Sequence, residues 1–437
     1  MALVLQNAML VDFDPPRVET GGLRIDGGQI VARGAVTIAP DDEVVDCRGA
    51  VVLPGLVNGH THLYSALAVG MPAPPRPPKN FLEILQLVWW RLDQALDAES
   101  IEMSARIGAL EAVHCGTTTL IDHHASPNCI GGSLDLIERG LDSIGLRGVV
   151  CYETTDRHGR TGRKAGLAEN RRYLQKCPAN LGGRFAGLVG AHASFTLDDE
   201  SLSELARMAN EFNVGVHIHV AEDPCDEEAS RKEHGVSLIE RLDQHKLMKP
   251  DSIFAHGTHL DAAAIERVNG VGLSLAHNPR SNMNNSVGYT PVAKFRSPVM
   301  LGTDGIGADM FNEARTAWFK SCDARAGLVP QDILRMLAAS ARRASASLGV
   351  TLGQLSVGAA GDVVVTDYVP FTVLTEGNLA AHVIFAMGPQ QVRHVAVDGR
   401  WVLRDRKVIH CDEAAVRKQA ATVATQLWNR ITKIPAK

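Results

Sequence analysis

The feature that most constrains this chain is an alternation between β-rich apolar runs and long helical patterns from about residue 56 to 350. Continuous apolar runs suit strands buried on both faces, and the helical patterns between them have the length of crossover connections. The runs are Leu53–Val57, Thr117–Ile121, Leu146–Tyr152, Phe185–Val189, Val214–Ile218, Ser252–Ala255, Val271–Ala276 and Pro298–Leu301. Strand–helix units of this kind predict an α/β fold with a parallel sheet, a (β/α)8 TIM-type barrel.

Both ends of the chain have a different texture. Residues 1–50 contain short alternating stretches punctuated by Asp-Gly-Gly and Pro-Pro, and the same texture returns near the carboxyl end. Short strands and tight turns of this kind are typical of antiparallel sheets. We therefore predict a small β-sandwich built from residues 1–56 and 358–437, around a barrel of residues 57–357. The last segment, 412–431, has helical spacing and is expected to cover a surface.

Composition narrows the functional classes. The 437 residues are 45% hydrophobic and 21% charged, with a net charge of −5 at pH 7. This balance gives no reason to expect nucleic acid or an anionic membrane as a partner. No apolar run reaches the roughly 18 residues of a transmembrane helix, and the first residues lack the basic start of a signal peptide. The eight cysteines form no CxxC pair, which is typical of reduced thiols in a cytoplasmic protein.

Ionisable side chains recur where the predicted barrel strands end. His60 and His62 lie two residues apart, so on a strand their imidazoles point to the same face and can reach one cation. Histidine is the commonest side-chain ligand of zinc-like metals near neutral pH. Later strand ends carry Asp122-His123-His124, His192, His217, His219, Glu222, His256, His277 and Asp304. Because the carboxyl ends of barrel strands converge on one site, this pattern predicts a metal-dependent active site.

Four motifs give these residues a more specific meaning. They are PGLVNGHTH at 54–62, HVAE at 219–222, AHGTHL at 255–260 and LGTDG at 301–305. In this order and spacing they resemble the amidohydrolase superfamily, specifically its mononuclear-metal aminohydrolase (deaminase) branch. WWRLD at 89–93 and DHHASP at 122–127 are similar to the SsnA-type aminohydrolases of that branch. The resemblance covers nearly all of the chain and implies the same barrel and split β-sandwich.

The resemblance also implies a set of metal ligands. Carried over residue by residue, they are His60, His62, His219 and Asp304. The strand-four segment 183–195 has no lysine, so the carbamylated bridging lysine of two-metal relatives is missing and one divalent ion is expected. Zinc is the expected ion, with Fe²⁺ or Mn²⁺ as alternatives for nitrogen and oxygen ligands of this kind.

Catalytic roles follow from the same resemblance. A divalent ion lowers the pKa of a bound water to about 7, and Asp304 would accept the proton of that water. Glu222 would protonate a ring nitrogen and later help ammonia to leave. His256 would hydrogen-bond the attacking oxygen as charge builds on it. His217 shares a strand face with His219 and is interpreted as a hydrogen-bonded core histidine.

The resemblance implies that Trp90, His123 and His192 bind the substrate. The ring of Trp90 suits stacking on a flat heterocycle, and packing in the core is the alternative. The expected substrate is a small aminated N-heterocycle, such as a purine or pterin, which loses ammonia in a pathway of purine catabolism. A methylthioadenosine- or adenosylhomocysteine-type nucleoside deaminase is an alternative. Ile84 and Asp93 weaken it, because those relatives carry tryptophan and glutamate there.

Two other interpretations stay open. The same metal-activated water could hydrolyse a cyclic amide or displace a substituent other than an amine. A non-enzymatic binding protein on a relict barrel is disfavoured, because the set of ligands is complete. Family members are often oligomers, so a homodimer or a larger assembly is expected.

Two segments that follow predicted strands are candidate lids over the site. Residues 70–80 contain five prolines, and residues 157–172 are rich in arginine. For the basic segment, a solvated connection is favoured over an anion clamp.

Overall fold

The structure is a computed structural model that describes residues 2–436. Its strands are Leu3–Phe13 (β1), Pro16–Asp26 (β2), Gln29–Gly34 (β3), Glu43–Asp46 (β4), Val51–Pro54 (β5), Leu56–Thr61 (β6), Thr117–His124 (β7), Arg147–Tyr152 (β8), Phe185–Gly187 (β9), Val189–Ala193 (β10), Val216–Val220 (β11), Ile253–His256 (β12), Ser274–His277 (β13), Val299–Leu301 (β14), Val363–Thr366 (β15), Val392–Val397 (β16), Arg400–Arg404 (β17) and Lys407–Val408 (β18).

The helices alternate with the barrel strands. They are Phe81–Ile84 (α1), Trp90–Ala95 (α2), Ala98–His114 (α3), Ser133–Asp142 (α4), Gly159–Lys176 (α5), Asp199–Glu211 (α6), Pro224–His234 (α7), Leu238–Gln244 (α8), Ala262–Val271 (α9), Pro279–Asn284 (α10), Met310–Asp323 (α11), Pro330–Leu348 (α12), Leu379–Ala381 (α13) and Glu413–Ile431 (α14). A π-helical turn at Leu85–Trp89 joins α1 to α2. No helix within residues 2–436 combines the length and the apolar character needed to cross a membrane.

The barrel is built from two parallel sheets. One has the strand order β6-β7-β8-β9 and the other the order β10-β11-β12-β13-β14. Leu188 separates β9 from β10, which together form the fourth of eight barrel positions. Isolated parallel bridges from Thr61 to Asp304 and from Thr154 to Ala191 join the two sheets. The predicted (β/α)8 TIM-type barrel is confirmed.

Strands from both chain ends form one further sheet. Its order is β18-β17-β16-β15-β5-β1-β2-β3, with β4 paired to β1. In its centre β5 lies between β1, which it pairs in parallel, and β15, which it pairs antiparallel. The small β-sandwich predicted from both chain ends corresponds to this single nine-stranded sheet, in which β5 connects the two halves.

The predicted strand Leu53–Val57 is wrong in its bounds. The chain leaves the terminal sheet after Pro54 and enters the barrel at Leu56. Between them, a Cβ atom on Gly55 would lie 2.2 Å from the hydroxyl of Thr118, so only glycine fits this crossing. The first barrel strand therefore begins and ends later than predicted. His60 lies within it, and His62 lies just beyond its end.

The arginine-rich segment 157–172 was predicted to be a connection, and this prediction is wrong. Most of it belongs to α5. Its basic side chains hold ion pairs with neighbouring carboxylates, such as Arg163 with Asp198 at 3.1 Å and Arg172 with Glu169 at 2.8 Å. The many charged residues make the helical spacing of this segment hard to recognise in the sequence, because several of their side chains face protein and not solvent. In contrast, the proline-rich segment 70–80 has no regular secondary structure.

One buried side chain of α5 joins the barrel sheets where they separate. Asn170 accepts hydrogen bonds from the backbone N–H groups of Tyr152 (2.9 Å) and Gly190 (3.2 Å). Its amide nitrogen donates to the carbonyl oxygens of Tyr152 (2.7 Å) and Gly190 (3.3 Å). Asn170 therefore replaces part of the missing backbone ladder between β8 and β10.

Candidate active site

Four side chains that the sequence predicts as metal ligands meet at the carboxyl end of the barrel. His60 Nε2 lies 3.4 Å from Asp304 Oδ1, and His62 Nε2 lies 2.9 Å from the same oxygen. The Nε2 atoms of His62 and His219 are 3.1 Å apart. These residues come from β6, β11 and the end of β14, so the barrel geometry brings together groups that are far apart in the chain.

Hydrogen bonds behind two of these imidazoles fix their orientation. His62 Nδ1 donates to the carbonyl oxygen of His123 at 2.6 Å, and His219 Nδ1 donates to that of His192 at 2.9 Å. A carbonyl oxygen only accepts, so in each neutral ring the hydrogen is on Nδ1 and the lone pair of Nε2 points into the site.

His60 is oriented by a side chain. Its Nδ1 lies 2.8 Å from Nε2 of His217, and Nδ1 of His217 lies 3.8 Å from Sγ of Cys151. The thiol of Cys151 donates in turn to the carbonyl oxygen of Asp122 at 3.6 Å. This chain of contacts is compatible with a hydrogen on each Nδ1, which leaves Nε2 of His60 free as a ligand atom.

The donor set fits a divalent cation. Donor atoms of His60, His219, His256 and Asp304 all lie within 4.8 Å of one another, as do those of His62, His123 and His219. Within residues 2–436, the buried Nε2 of His60 has no hydrogen-bond partner. Imidazole nitrogens and one carboxylate are the ligands that zinc takes in catalytic sites. His256 belongs to the first of these groups, so its imidazole lies close to the predicted ligands.

The electrostatics of the cluster favour a positive charge. Burial lowers the pKa of His60 to about 4. Burial opposes a charge on His62 too, but the hydrogen bond to Asp304 raises the pKa of that imidazole to about 9. Although burial alone would raise it, the two imidazoles hold the pKa of Asp304 well below its usual range. An ionised carboxylate surrounded by buried rings requires a cation, which a metal ion would supply.

Glu222 and His256 form a pair beside the ligand cluster. Glu222 Oε2 lies 3.4 Å from His256 Nε2, and Glu222 Oε1 accepts a hydrogen bond from Asn285 at 3.3 Å. His256 Nδ1 lies 2.8 Å from Oδ1 of Asn282. Burial raises the pKa of Glu222 towards neutrality, as a group that both takes and gives a proton requires.

The backbone is strained where barrel strands deliver these side chains. Ala221, His256 and Asp304 have φ angles of 50°, 76° and 55°, in the left-handed region that residues with a Cβ rarely adopt. Such strain persists only where the surroundings impose it, and it concentrates at functional sites. All three lie at the carboxyl ends of barrel strands.

A cavity opens above the cluster and is lined largely by aromatic rings. The rings that line it are those of Tyr64, Phe81, Trp89, Trp90 and Phe195. Its polar wall includes Asp93, Glu153, His192, Glu222, Asn285 and Asp304. A cavity in which aromatic rings face a wall of polar groups suits a small aromatic ligand that carries hydrogen-bonding groups.

Three comparisons with known proteins agree on the family. A model described as "Amidohydrolase family" matches residues 51–402. The chain belongs to the amidohydrolase family. It is 28% identical over 442 residues to a 5'-deoxyadenosine deaminase of Methanosarcina mazei, covering 98% of this chain and 99% of that protein. It is 32% identical over 415 residues to a 5-methylthioadenosine/S-adenosylhomocysteine deaminase of Halobacterium salinarum, covering 93% of both.

Solved structures show the same fold. An adenosine deaminase from Xanthomonas campestris with bound zinc superposes with a TM-score of 0.84 at 24% identity, over 99% of both chains. The match to the family model confirms the resemblance to the amidohydrolase superfamily that the motifs indicated.

The cavity of this amidohydrolase holds two of the three side chains predicted to bind substrate. Trp90 and His192 line it, with their ring centroids 6.2 Å apart. His123 is fully buried and does not line the cavity; its Nε2 donates to the carbonyl oxygen of His217 at 3.1 Å. The geometry thus brings His123 to the floor beneath the cavity and not to its wall.

We assigned no role to Glu153 or Asn285 from the sequence. Glu153 directly follows β8, so the rule that strand ends carry functional groups would have found it at the third strand. Asp93 occupies the position that the resemblance compares with a glutamate of nucleoside deaminases, and it lines the cavity. Asn285 lies just beyond α10 and carries no comparable signal.

Proposed function

We propose that this amidohydrolase is a metal-dependent aminohydrolase that removes the amino group of an N-heterocycle as ammonia. One observation carries the proposal: buried imidazoles, Asp304 and the proton-transfer group Glu222 converge on one aromatic cavity. The relatives with 28% and 32% identity over nearly the full chain are named as deaminases, which supports the same reaction class.

The residues divide into ligands and proton-transfer groups. A divalent ion, for which zinc is proposed, would be held by His60, His62, His219 and Asp304 and would lower the pKa of a bound water to about 7. Asp304 accepts the proton of the attacking water, while the hydroxyl of Ser281 donates to its other oxygen.

Glu222 carries the second proton transfer. In its protonated form it gives a proton to a ring nitrogen, which makes the neighbouring carbon electrophilic. Now ionised, Glu222 takes the proton of the newly attached hydroxyl group as the C=O bond forms and passes it to the amine, whose C–N bond breaks to release ammonia. The proton held by Asp304 then restores Glu222. His256, oriented by Asn282, hydrogen-bonds the oxygen that attacks and stabilises the charge that develops there.

The proposed substrate is a small heterocycle of purine or pterin type, consumed in purine catabolism in the cytoplasm. Its ring would lie against Trp90 and His192, above the ligand cluster. A nucleoside of the 5'-deoxyadenosine or methylthioadenosine type is the second candidate, since the named relatives act on such compounds. We also propose a homodimer or a larger assembly that binds neither nucleic acid nor membrane.

Ammonia release tests the proposal. Zinc-loaded protein would be given amino-purines, amino-pterins, amino-pyrimidines, amino-triazines and 5'-deoxynucleosides, with metal content measured on the same sample. We expect ammonia and the matching oxo product in equal amounts from at least one class. Consumption of a substrate without ammonia would instead identify hydrolysis of a cyclic amide or displacement of another substituent.

A further inference from the structure

The cavity contains a carboxylate for which the proposed deamination has no use. Glu153 directly follows β8, is 4% exposed and lines the cavity together with His62 and Asp304. It is neither in the ligand set nor paired with Glu222. Burying a carboxylate costs free energy unless hydrogen-bond donors surround it. The distances from its oxygens to neighbouring nitrogens therefore show how well it is hydrogen-bonded.

Every contact that the structure gives to the oxygens of Glu153 is long. Oε1 lies 3.3 Å from Nε2 of His192 and 3.7 Å from Nη2 of Arg157. Oε2 lies 3.6 Å from Nδ1 of His123. Hydrogen bonds from charged donors to carboxylates are normally about 2.7–2.9 Å long. Glu153 is therefore close to three nitrogens but well bonded to none of them.

The contact with His123 supplies no donor. Nε2 of His123 points at the carbonyl oxygen of His217 and must carry the hydrogen. The neutral ring then presents a lone pair at Nδ1 to Oε2 of Glu153, so two acceptors face each other.

Arg157 makes only long contacts with the carboxylates of this wall. Its guanidinium lies over the ring of Trp90, 4.5 Å from the centroid, and Nη2 reaches Asp93 at 3.3 Å. Its Nε donates to the hydroxyl of Thr155 at 3.2 Å. Oδ1 of Asp93, itself buried, has no hydrogen-bond partner within residues 2–436. Nη1 of Arg157 likewise has no hydrogen-bond partner within residues 2–436. The guanidinium therefore lies near two carboxylates and completes the hydrogen bonding of neither.

We propose that Glu153 determines substrate specificity by accepting a hydrogen bond from a substrate donor other than the amine that leaves. The donor is a ring N–H or second amino group of a free base, or a sugar hydroxyl of a nucleoside. This inference rests on the proposed function, which identifies the ligand as an aminated heterocycle. It adds that the ligand must carry a hydrogen-bond donor other than the amine that leaves.

Paired probes that differ in one donor test this role. Zinc-loaded protein would be titrated with guanine against 1-, 7- and 9-methylguanine, and with adenine against 9-methyladenine. The nucleoside pair is 5'-deoxyadenosine against 2',3',5'-trideoxyadenosine. Binding is read from the fluorescence of Trp89 and Trp90, which line the cavity. In at least one pair we expect the donor-bearing compound to bind about 10- to 100-fold more tightly, as one hydrogen bond to a charged group allows.

The variant Glu153→Gln removes the charge and keeps the size of the side chain. It should bring the ratio within that pair close to one, while zinc content stays unchanged. Glu153→Asp keeps a carboxylate and should retain an intermediate ratio. Glu233→Gln, an exposed change outside the cavity, is the matched control and should leave the ratio at the native value.

The outcomes separate this inference from the proposed function. Equal binding within every pair, binding by no probe, or an unchanged ratio in Glu153→Gln would overturn the role of Glu153. A binding preference without ammonia release would reject deamination and leave Glu153 as a recognition residue. Which pair shows the preference distinguishes a base N–H from a sugar hydroxyl.

Discussion

His219 and Glu222 lie three residues apart at the end of β11, yet their surroundings give them different chemistry. His219 has its Nδ1 tied to a backbone carbonyl and its Nε2 directed at the ligand cluster. Glu222 lies beyond the strand end, against His256 and Asn285. Their substitution should therefore separate metal binding from proton transfer.

The variant Glu222→Gln should retain its zinc and lower kcat for ammonia release by roughly 10²- to 10⁴-fold, because the proton-transfer group is lost and the ligands are not. Metal analysis and initial rates on the same sample measure both quantities. His219→Ala is the contrasting variant and should lose the metal itself. If Glu222→Gln also lost its zinc, the assignment of Glu222 to proton transfer would be wrong.

His217 should control the affinity for zinc without contacting it. Removing its contact with Nδ1 of His60 frees that ring to rotate or change tautomer. His217→Phe should weaken zinc binding by roughly 10- to 100-fold, the usual effect of losing a group that orients a ligand. Competition with a chelator measures the affinity directly. His217→Gln can still accept the hydrogen bond and should weaken zinc binding less; an equal loss in both variants would argue against orientation by hydrogen bonding.

At the scale of elements, α5 does more than cover the barrel. Its Asn170 bonds backbone groups of β8 and β10 at the point where the two barrel sheets lose their own pairing. Glu153 and His192 lie at the ends of the same two segments. The helix therefore sets the spacing of two strands that supply the cavity wall.

Asn170→Leu should lower the free energy of unfolding by about 2–4 kcal/mol, because it leaves several buried backbone groups without partners. Denaturant-induced unfolding followed by circular dichroism measures the change. Arg171→Met, on the same helix, removes an exposed ion pair with Glu211 and a contact with the ring of Phe212, and it should change the free energy of unfolding by less than about 1 kcal/mol. Equal effects of the two variants would show that Asn170 is dispensable.

Periodicity predicted the long elements well. The helical patterns at 99–114 and 412–431 correspond to α3 and α14, because apolar positions recur on one face over several turns. It failed for α5, where arginines that pair with neighbouring carboxylates resemble a solvated loop. It also failed at Pro54-Gly55, since one apolar run serves two sheets and only the contact of Gly55 with Thr118 shows the crossing.

The site was predictable where chemistry is specific to a residue type. The metal-binding role of the histidines and of Asp304 at strand ends can be predicted from the sequence, because few other residue types bind zinc. The wall formed by Asp93, Glu153 and Arg157 was not predictable, because its meaning depends on unfilled hydrogen bonds. Those become visible only when β8 and α2 are placed side by side.

At the scale of the whole molecule, one buried ion-pair group joins the barrel to the terminal sheet. Arg147, at the start of β8, is 1% exposed and donates to both oxygens of Asp362 at 2.9 Å. It also bonds Asp398 in the turn between β16 and β17. The barrel and the terminal sheet are thus connected by ion pairs as well as by the polypeptide backbone.

Arg147→Met should destabilise the protein by about 3–5 kcal/mol, since it leaves the carboxylate of Asp362 buried without its cation. The midpoint of denaturant-induced unfolding is the measurement. Arg335→Met, whose partner Asp332 lies on the same exposed helix face, is the control and should shift the midpoint little. A shift no larger than that of the control would show that the connection adds no stability.

The central position of β5 has a consequence for synthesis on the ribosome. Its partner β15 ends at Thr366, more than three hundred residues after β5 ends at Pro54. At about 5–20 residues per second, one edge of β5 waits roughly 15–60 s for that partner to emerge. During this interval the nascent chain presents an unpaired apolar strand edge, which is open to aggregation until β15 pairs with it.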